Sequence, residues 1–305
     1  MKVLVTGGAG FIGSHTVDNL INSGANVVVV DNLSTGKEEN LNPRAQFVML
    51  DIASEQLTGV FDRYQPDYVI HLAAQVSVAA SITNPVRDSI TNIVGCVNLL
   101  ENCRRSGVKK VIYASSAAVY GNPETEVVAE STPTLPLSFY GVSKLTPEYY
   151  LRVFHHLYGL RYTVLRYANV YGPRQDATGE GGVVSIFATK ILAQAIPVIF
   201  GDGEQTRDFV YVQDIADANV RALTRGDLMV LNVGTGERTS VNRLYNLMAE
   251  IAGANSVPHY TEARPGEVRH SCMDNRKLVK DLEWKPEFPL QEGLANTINY
   301  YRALK

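Results

Sequence analysis

In SFYGVSKL (138–145), Tyr140 and Lys144 stand four residues apart, and Ser116 sits where the apolar run VIYASS (111–116) gives way to AAVYG. Residues four apart on a helix project from one face, so a phenol and an ammonium would share a site. A free tyrosine titrates at about 10. An adjacent cation favours the phenolate, which would make Tyr140 a general base near neutral pH. Ser116 carries a hydroxyl that can donate and accept, and it could share the proton. Ala117 and Ala118, next along the chain, carry only methyls and can move none. A Tyr–Lys pair at this spacing is common on exposed helices, so the reading depends on its surroundings. Pro147, three past Lys144, removes the N–H that the Ser143 carbonyl would accept in a helix interior. The helix therefore either begins late or bends just past the lysine.

A second pattern opens the chain. TGGAGFIGS places Gly7, Gly10 and Gly13 directly after an apolar run and at the start of a helical pattern. Glycines there allow a tight turn, close approach of backbone to a pyrophosphate, and close helix–strand packing, while the helix N-terminus supplies N–H groups to phosphates. Asp31 closes the second strand pattern, 18 residues past Gly13, near the spacing expected of a ribose-binding carboxylate. A carboxylate accepts from ribose hydroxyls and repels a 2′-phosphate, so the expected cofactor is NAD rather than NADP. Its positive nicotinamide ring would act with Lys144 in favouring the Tyr140 phenolate.

These residues need a scaffold, and the patterning supplies one. KVLVTG (2–7), NVVVVD (26–31), QFVMLD (46–51), DYVIHLAA (67–74), KKVIYAS (109–115) and YTVLRY (162–167) read as strands, with helical patterns over 11–24 and 85–107 closed by Gly24 and Gly107. Near-continuous apolar strands alternating with helices indicate a parallel sheet covered on both faces. From 171 the pattern loosens. YGPRQDATGEGG (171–182) reads as a long loop, followed by strand–turn–strand (197–212), helix (213–225), strand (229–234), helix (240–253) and two C-terminal helices. The expected fold is α/β: a doubly wound, Rossmann-type parallel sheet over 1–170, with a second, smaller α/β substrate domain over 171–305. Some segments of the second half are expected to return to the first sheet.

Bulk properties narrow the partners. With 28 Lys and Arg against 31 Asp and Glu, the net charge is −3. There is no basic block, so a nucleic-acid partner is not expected. Cys96, Cys103 and Cys272 form no CxxC pair, and read as inert buried thiols in a reducing, cytoplasmic setting. The most apolar stretch, 183–200, is interrupted by Lys190, Gln194 and Pro197, short of the roughly 18 apolar residues of a membrane span. The N-terminus reaches glycine too soon for a signal peptide. His155-His156 has no metal-ligand spacing, and no metal is expected.

Taken together, VTGGAGFIGSH (5–15), VVDNLSTG (29–36), HLAAQVSV (71–78), SSAAVYG (115–121), YGVSK (140–144), LRYANVYGPRQ (165–175), GDGEQTRDFVYVQD (201–214), NVGTG (232–236) and RPGE (264–267) resemble, end to end, the NAD-dependent epimerase/dehydratase family of extended short-chain dehydrogenases/reductases. The resemblance implies a catalytic triad of Ser116, Tyr140 and Lys144. It implies NAD contacts from Gly7, Gly10, Phe11, Ile12, Gly13, Asp31, Asn32, Asp51, Ile52, Leu72, Ala73, Ala74, Asn92, Tyr140, Lys144 and Tyr167. It implies that Asn169, Val183, Arg207 and Arg264 hold a nucleotide-sugar diphosphate, that Glu267 holds the uridine ribose, and that Ser271 lies where sugar bulk is limited. The chain departs from the family pattern in LRYAN for LRYFN and in Glu267 for Asp.

The family's reactions begin with oxidation at the sugar C4 and then diverge. Dehydratases and decarboxylases resembling this chain would carry an acid where Ala117 and Ala118 stand. The implied reaction is therefore 4-epimerisation of a UDP-hexose, glucose/galactose or their N-acetylated forms. A UDP-glucuronate 4-epimerase, with Arg87 or Arg174 on the carboxylate, is the near alternative; a non-catalytic NAD-sensing protein on the same fold is the remote one. The family also dimerises through helices around 88–105 and 143–157, which implies a homodimer.

Overall fold

The structure, a computed structural model, describes residues 1–125, 127–177, 182–263 and 268–304. The strands are β1 (Lys2–Thr6), β2 (Asn26–Asp31), β3 (Gln46–Met49), β4 (Tyr68–His71), β5 (Lys110–Ser116), β6 (Arg161–Tyr167), β7 (Asn169–Tyr171), β8 (Val198–Phe200), β9 (Thr206–Arg207), β10 (Phe209–Tyr211), β11 (Met229–Val233), β12 (Thr239–Ser240) and β13 (His259–Thr261). The helices are α1 (Phe11–Asn22), α2 (Leu57–Tyr64), α3 (Val78–Thr83), α4 (Pro85–Ser89), α5 (Gly95–Arg105), α6 (Phe139–Tyr158), α7 (Val183–Leu192), α8 (Val212–Arg221), α9 (Val241–Ala252), α10 (Arg276–Leu282) and α11 (Leu290–Ala303).

Among the described residues, seven strands form one sheet in the order β11-β6-β5-β4-β1-β2-β3, every pairing parallel. The reversal of direction lies between β1 and β4, where doubly wound sheets bind ligands beyond their strand ends. KVLVT and NVVVVD are buried on both faces after their first residue, which is why they read as unbroken apolar runs. One core, around Val3, Val29, Leu165 and Ile215, fills one face; another, around Leu4, Val30, Leu99 and Val164, fills the other.

The second half of the chain is split in its packing. β11 pairs with β6 at the edge of the central sheet. α7, α9 and α11 gather a separate core with Phe187, Tyr245 and Met248. The short pairs β7·β10, β8·β13 and β9·β12 sit with this part. No helix among the described residues is long and apolar enough to cross a membrane.

Two local points bear on the site. α4 and α5 are joined by a π-helical turn over Ile90–Val94, so 85–105 is one continuous helical stretch. α6 runs unbroken from Phe139 to Tyr158 with Pro147 inside it. It neither begins late nor ends at the proline, and Lys144 lies one turn before it.

Candidate active site

The cofactor end is built by the turn after β1. Gly7 has φ +73, and a Cβ there would lie 2.6 Å from the Ala73 nitrogen; the loop after β4, with Leu72, Ala73 and Ala74, is packed against the turn. Thr6 ties these strand ends together. Its hydroxyl is 2.8 Å from His71 Nδ1 and accepts from the Ala73 N–H at 3.3 Å. A Cβ on Gly13 would be 2.8 Å from the Gly7 carbonyl carbon and closer still to its oxygen, so α1 can approach the turn only with glycine there. Gly10 caps α1 without any side-chain hydrogen bond, leaving the first N–H groups, at Phe11 and Ile12, facing the turn as a phosphate cradle.

Asp31 ends β2 and is 7% exposed. It accepts from the Ala9 N–H at 3.0 Å and the Leu33 N–H at 2.9 Å, one bond per oxygen. Each oxygen keeps a further lone pair for a ribose hydroxyl. Asn32 donates to Asp51 at 2.8 Å, and Asp51 also accepts from the Ala53 N–H at 2.8 Å; Ile52 is buried. The uncapped helix start, the glycine cradle and the spare Asp31 acceptors fit an NAD molecule.

Two expected cofactor residues also hydrogen-bond within the protein. Asn92, in the π-helical turn and 2% exposed, accepts from the Gln75 N–H at 2.8 Å and donates toward the Gln75 carbonyl, Asp88 and Ser143 at 2.9–3.2 Å. Its amide ties the loop after β4 to α6. Tyr167 donates its hydroxyl to Asn219 at 2.6 Å, and Asn219 bonds Thr16 on α1 at 3.1 Å; only the remainder of Tyr167 is left to face a ligand.

The catalytic end lies beyond β5. Ser116 is the last residue of that strand, and its hydroxyl accepts from the Ala118 N–H at 3.2 Å. Ser138 caps α6 by accepting from the Gly141 N–H at 3.0 Å, and Ser81 of α3 accepts from the Tyr140 N–H at 3.1 Å. A Cβ on Gly141 would be 2.7 Å from the Ala118 carbonyl oxygen, so the start of α6 packs tightly on the turn after Ser116. This brings the Tyr140 phenol near the Ser116 hydroxyl.

The electrostatics differ from the sequence expectation. Burial pushes the Tyr140 phenol above its usual value; the Ser116 hydroxyl opposes this, and the Asp88 carboxylate adds to it. Lys144 is not among the groups that shift it. The lysine, 5% exposed, points its ammonium at the Tyr113 ring, 4.9 Å from the centroid. Burial brings Lys144 down to about 8, against the opposing pull of Cys96, Asp88 and Glu148. The chain by itself therefore does not lower the phenol; what it tunes toward neutrality is the lysine.

A pocket of about 470 Å³ opens beside this pair. Ala117 and Ala118, immediately past Ser116, line it together with Val78 and Ile82 of α3 and with Asn169, Arg207, His270 and Ser271. Three expected substrate residues, Asn169, Arg207 and Ser271, thus meet in one cavity. Val183 begins α7 and packs, partly buried, against the core of the second half. Arg264 and Glu267 lie outside the described residues. Thr6, His71, Ser81 and Tyr113 were missed by sequence reasoning. Thr6, His71 and Tyr113 fall within the strand patterns KVLVTG, DYVIHLAA and KKVIYAS, but no spacing marked them.

Residues 3–234 match the model of the NAD dependent epimerase/dehydratase family, and the chain belongs to that family. It is 43% identical over 309 residues to the UDP-glucose 4-epimerase of Mycolicibacterium smegmatis, covering 99% of each chain. Among solved structures, it matches the UDP-glucose 4-epimerase of Thermotoga maritima with UDP-glucose, at TM-score 0.98 and 49% identity, covering 100% of this chain and 99% of the other. It also matches the UDP-glucose 4-epimerase of Thermus thermophilus in complex with NAD, at TM-score 0.94 and 42% identity over 100% of both chains.

Proposed function

We propose that this chain is an isomerase, an NAD-dependent UDP-sugar 4-epimerase acting on neutral UDP-hexoses. The observation that carries the reading is the pairing of Ser116 and Tyr140 beside a pocket lined by Ala117 and Ala118. Tyr140 takes the proton of the sugar 4-hydroxyl, with Ser116 sharing its path. NAD, held by the glycine turn at Gly7, Gly10 and Gly13 and by Asp31, would supply the acceptor and donor for the C4 hydride. The two alanines offer no acid or base to the neighbouring sugar carbons, so the 4-keto sugar is neither dehydrated nor decarboxylated. It turns over in the pocket, and Tyr140 returns the proton to the oxygen on the other face, with no net redox change.

A neutral hexose is favoured over a uronate. Arg174 is held by Asp18 of α1 at 2.8 Å, Arg87 is exposed on α4, and neither lines the pocket. Arg207, with its forked donors, suits the diphosphate; Arg264 and Glu267 are proposed for the diphosphate and the uridine ribose. Ser271 leaves room for a 2-acetamido group. The protein is proposed to work as a cytoplasmic homodimer. In support of the dimer, Val142, Tyr149, Val153 and Leu157 of α6 and Val86, Ile90 and Val94 along 85–105 form exposed apolar stripes on neighbouring helices.

Incubation with UDP-glucose, UDP-GlcNAc and UDP-glucuronate separately, followed by resolution of the sugars, tests the reading. Conversion of a neutral sugar to its 4-epimer is expected. Conversion of UDP-glucuronate only would replace the substrate class, and conversion of none, with NAD bound, would favour the NAD-sensing alternative.

A further inference from the structure

Several motif residues of this chain have no part in the chemistry above, and the fold brings them together. Ser115, Arg166 and Asn232 lie directly opposite one another on β5, β6 and β11, so they project from the same face of the sheet. Glu148 reaches that row from α6, one turn past Lys144 and two past Tyr140. Tyr120 reaches it from the turn after Ser116. The Ser115 hydroxyl donates to Glu148 at 2.5 Å. Arg166 grips Glu148 through two nitrogens, at 3.0 and 2.6 Å, and donates with a third to the Tyr120 hydroxyl at 2.8 Å. Tyr120 donates onward to Asn232 at 2.7 Å. All five are at most 8% exposed.

A buried ion pair of this kind is rarely needed for stability, since apolar side chains of similar volume hold a core as well. It does what apolar contact cannot. Apolar contact is non-directional and lets a helix roll or slide, whereas a two-pronged Arg–carboxylate fork fixes both angle and height. Here the fork joins three parts of the site: the catalytic helix through Glu148, the Ser116 strand end through Ser115, and the pocket wall through Tyr120.

We propose that Glu148 and Arg166 are positioning residues for the epimerisation, setting α6 on the sheet so that Tyr140 and Lys144 meet Ser116. The inference rests on the epimerase reading. Its second consequence is electrical. Lys144 is faced by Asp88 from α4, Cys96 from α5, His71 from β4, Tyr113 from β5, and Glu148 on its own helix. Burial keeps His71 uncharged, down to about 3, and Cys96 protonated, up to about 12, so Asp88 and Glu148 are the anions supporting the ammonium.

The test compares wild type with Glu148→Gln, Arg166→Lys and the double variant Glu148→Met/Arg166→Met, all with NAD bound. Misplacing a catalytic group by an ångström costs on the order of 100-fold, so Glu148→Gln should lose roughly 10- to 100-fold in kcat, with KM for UDP-glucose and NAD content within about twofold. Its alkaline limb should move to lower pH, a displacement that a purely structural role would not cause. Arg166→Lys, which cannot fork, should lose kcat as well. The double variant should melt near the wild-type temperature yet share the kcat loss, and it decides the matter if a single variant fails to fold. A folded, NAD-bound double variant with wild-type kcat and pH profile would overturn the inference while leaving the epimerase reading intact; a wild type that epimerises nothing would sink both.

Discussion

Replacing Gly13 by alanine should separate the cofactor cradle from the rest of the fold. The new Cβ would lie 2.8 Å from the Gly7 carbonyl carbon and 2.9 Å from Gly8 Cα, against 3.4–4 Å for ordinary contact. These are backbone atoms of a turn already tied by the Gly7 N–H to the Val30 carbonyl at 2.9 Å and by the Gly10 N–H to the Gly7 carbonyl at 3.1 Å. Relief requires α1 and the turn to part by more than the roughly 0.6 Å that the carbon contact alone demands, because the Gly7 carbonyl oxygen lies closer still, a forced insertion of the kind that costs about 1–3 kcal/mol. The same movement stretches a 2.9 Å phosphate hydrogen bond to the limit of a useful one. Each such bond to a charged group contributes about 1.5–3 kcal/mol, so NAD should bind roughly 10- to 150-fold more weakly for each bond lost. Titration of NAD-stripped protein with NAD, by calorimetry, measures this, and thermal melts with and without NAD give the stability change. Gly24→Ala is the control. It places alanine at φ +83 at the far end of α1 in open space, and should lower stability by about 1–2 kcal/mol without changing the NAD Kd. A Gly13→Ala protein that binds NAD within twofold of wild type would refute the close-approach argument.

Tyr140→Phe should bind NAD normally and lose at least about 100-fold in kcat, read by sugar resolution after incubation with UDP-glucose; near-normal turnover would remove Tyr140 from the chemistry. Lys144 titrates at about 8 in the fold against an ordinary 10.5, so between those values the unfolded chain holds a proton that the folded one has released, and NAD-free stability gains with rising pH across that window. Lys144→Met should accordingly be more stable than wild type by up to about 3 kcal/mol at neutral pH, with the difference vanishing by pH 10.5; denaturant melts at pH 7 and 10 measure it. Ser271→Tyr fills the pocket wall and should abolish turnover of UDP-GlcNAc while sparing UDP-glucose, so equal loss of both would mean that Ser271 does not face the sugar C2. Val153→Glu with Leu157→Glu places charge on two residues 50% and 59% exposed on α6, and should yield monomers by sedimentation if that stripe is the dimer face.

Much of the site was legible because its grammar is local. Gly7, Gly10 and Gly13 fall within two turns of one strand–helix junction. Asp31 ends the next strand, and Tyr140 and Lys144 occupy successive turns of one helix. Backbone geometry converts such spacings directly into shared faces, whatever the rest of the chain does. The alternation of apolar strands and amphipathic helices likewise fixed the parallel sheet. Pro147 marks a limit of the same reasoning. Local rules predicted a late start or a bend at that point; α6 does not start late but runs from Phe139 through Pro147 to Tyr158, with Lys144, Glu148 and Leu151 on its buried face.

Other features depend on distances that spacing does not encode. Whether Val183 reaches the pocket, whether Asn92 spends its amide on protein, and which way the Tyr140 phenol is shifted all depend on how elements pack and how much water they exclude. The sequence by itself set the glycine turn, the Tyr140–Lys144 spacing and the proton-inert methyls at Ala117 and Ala118, since each is written within one or two turns of chain. Tertiary structure decided that Ser115, Arg166 and Asn232, up to 117 residues apart in the chain, stand in one row beneath Glu148. Strand register sets that row, and register is the outcome of burying whole sheet faces at once rather than of any local pattern.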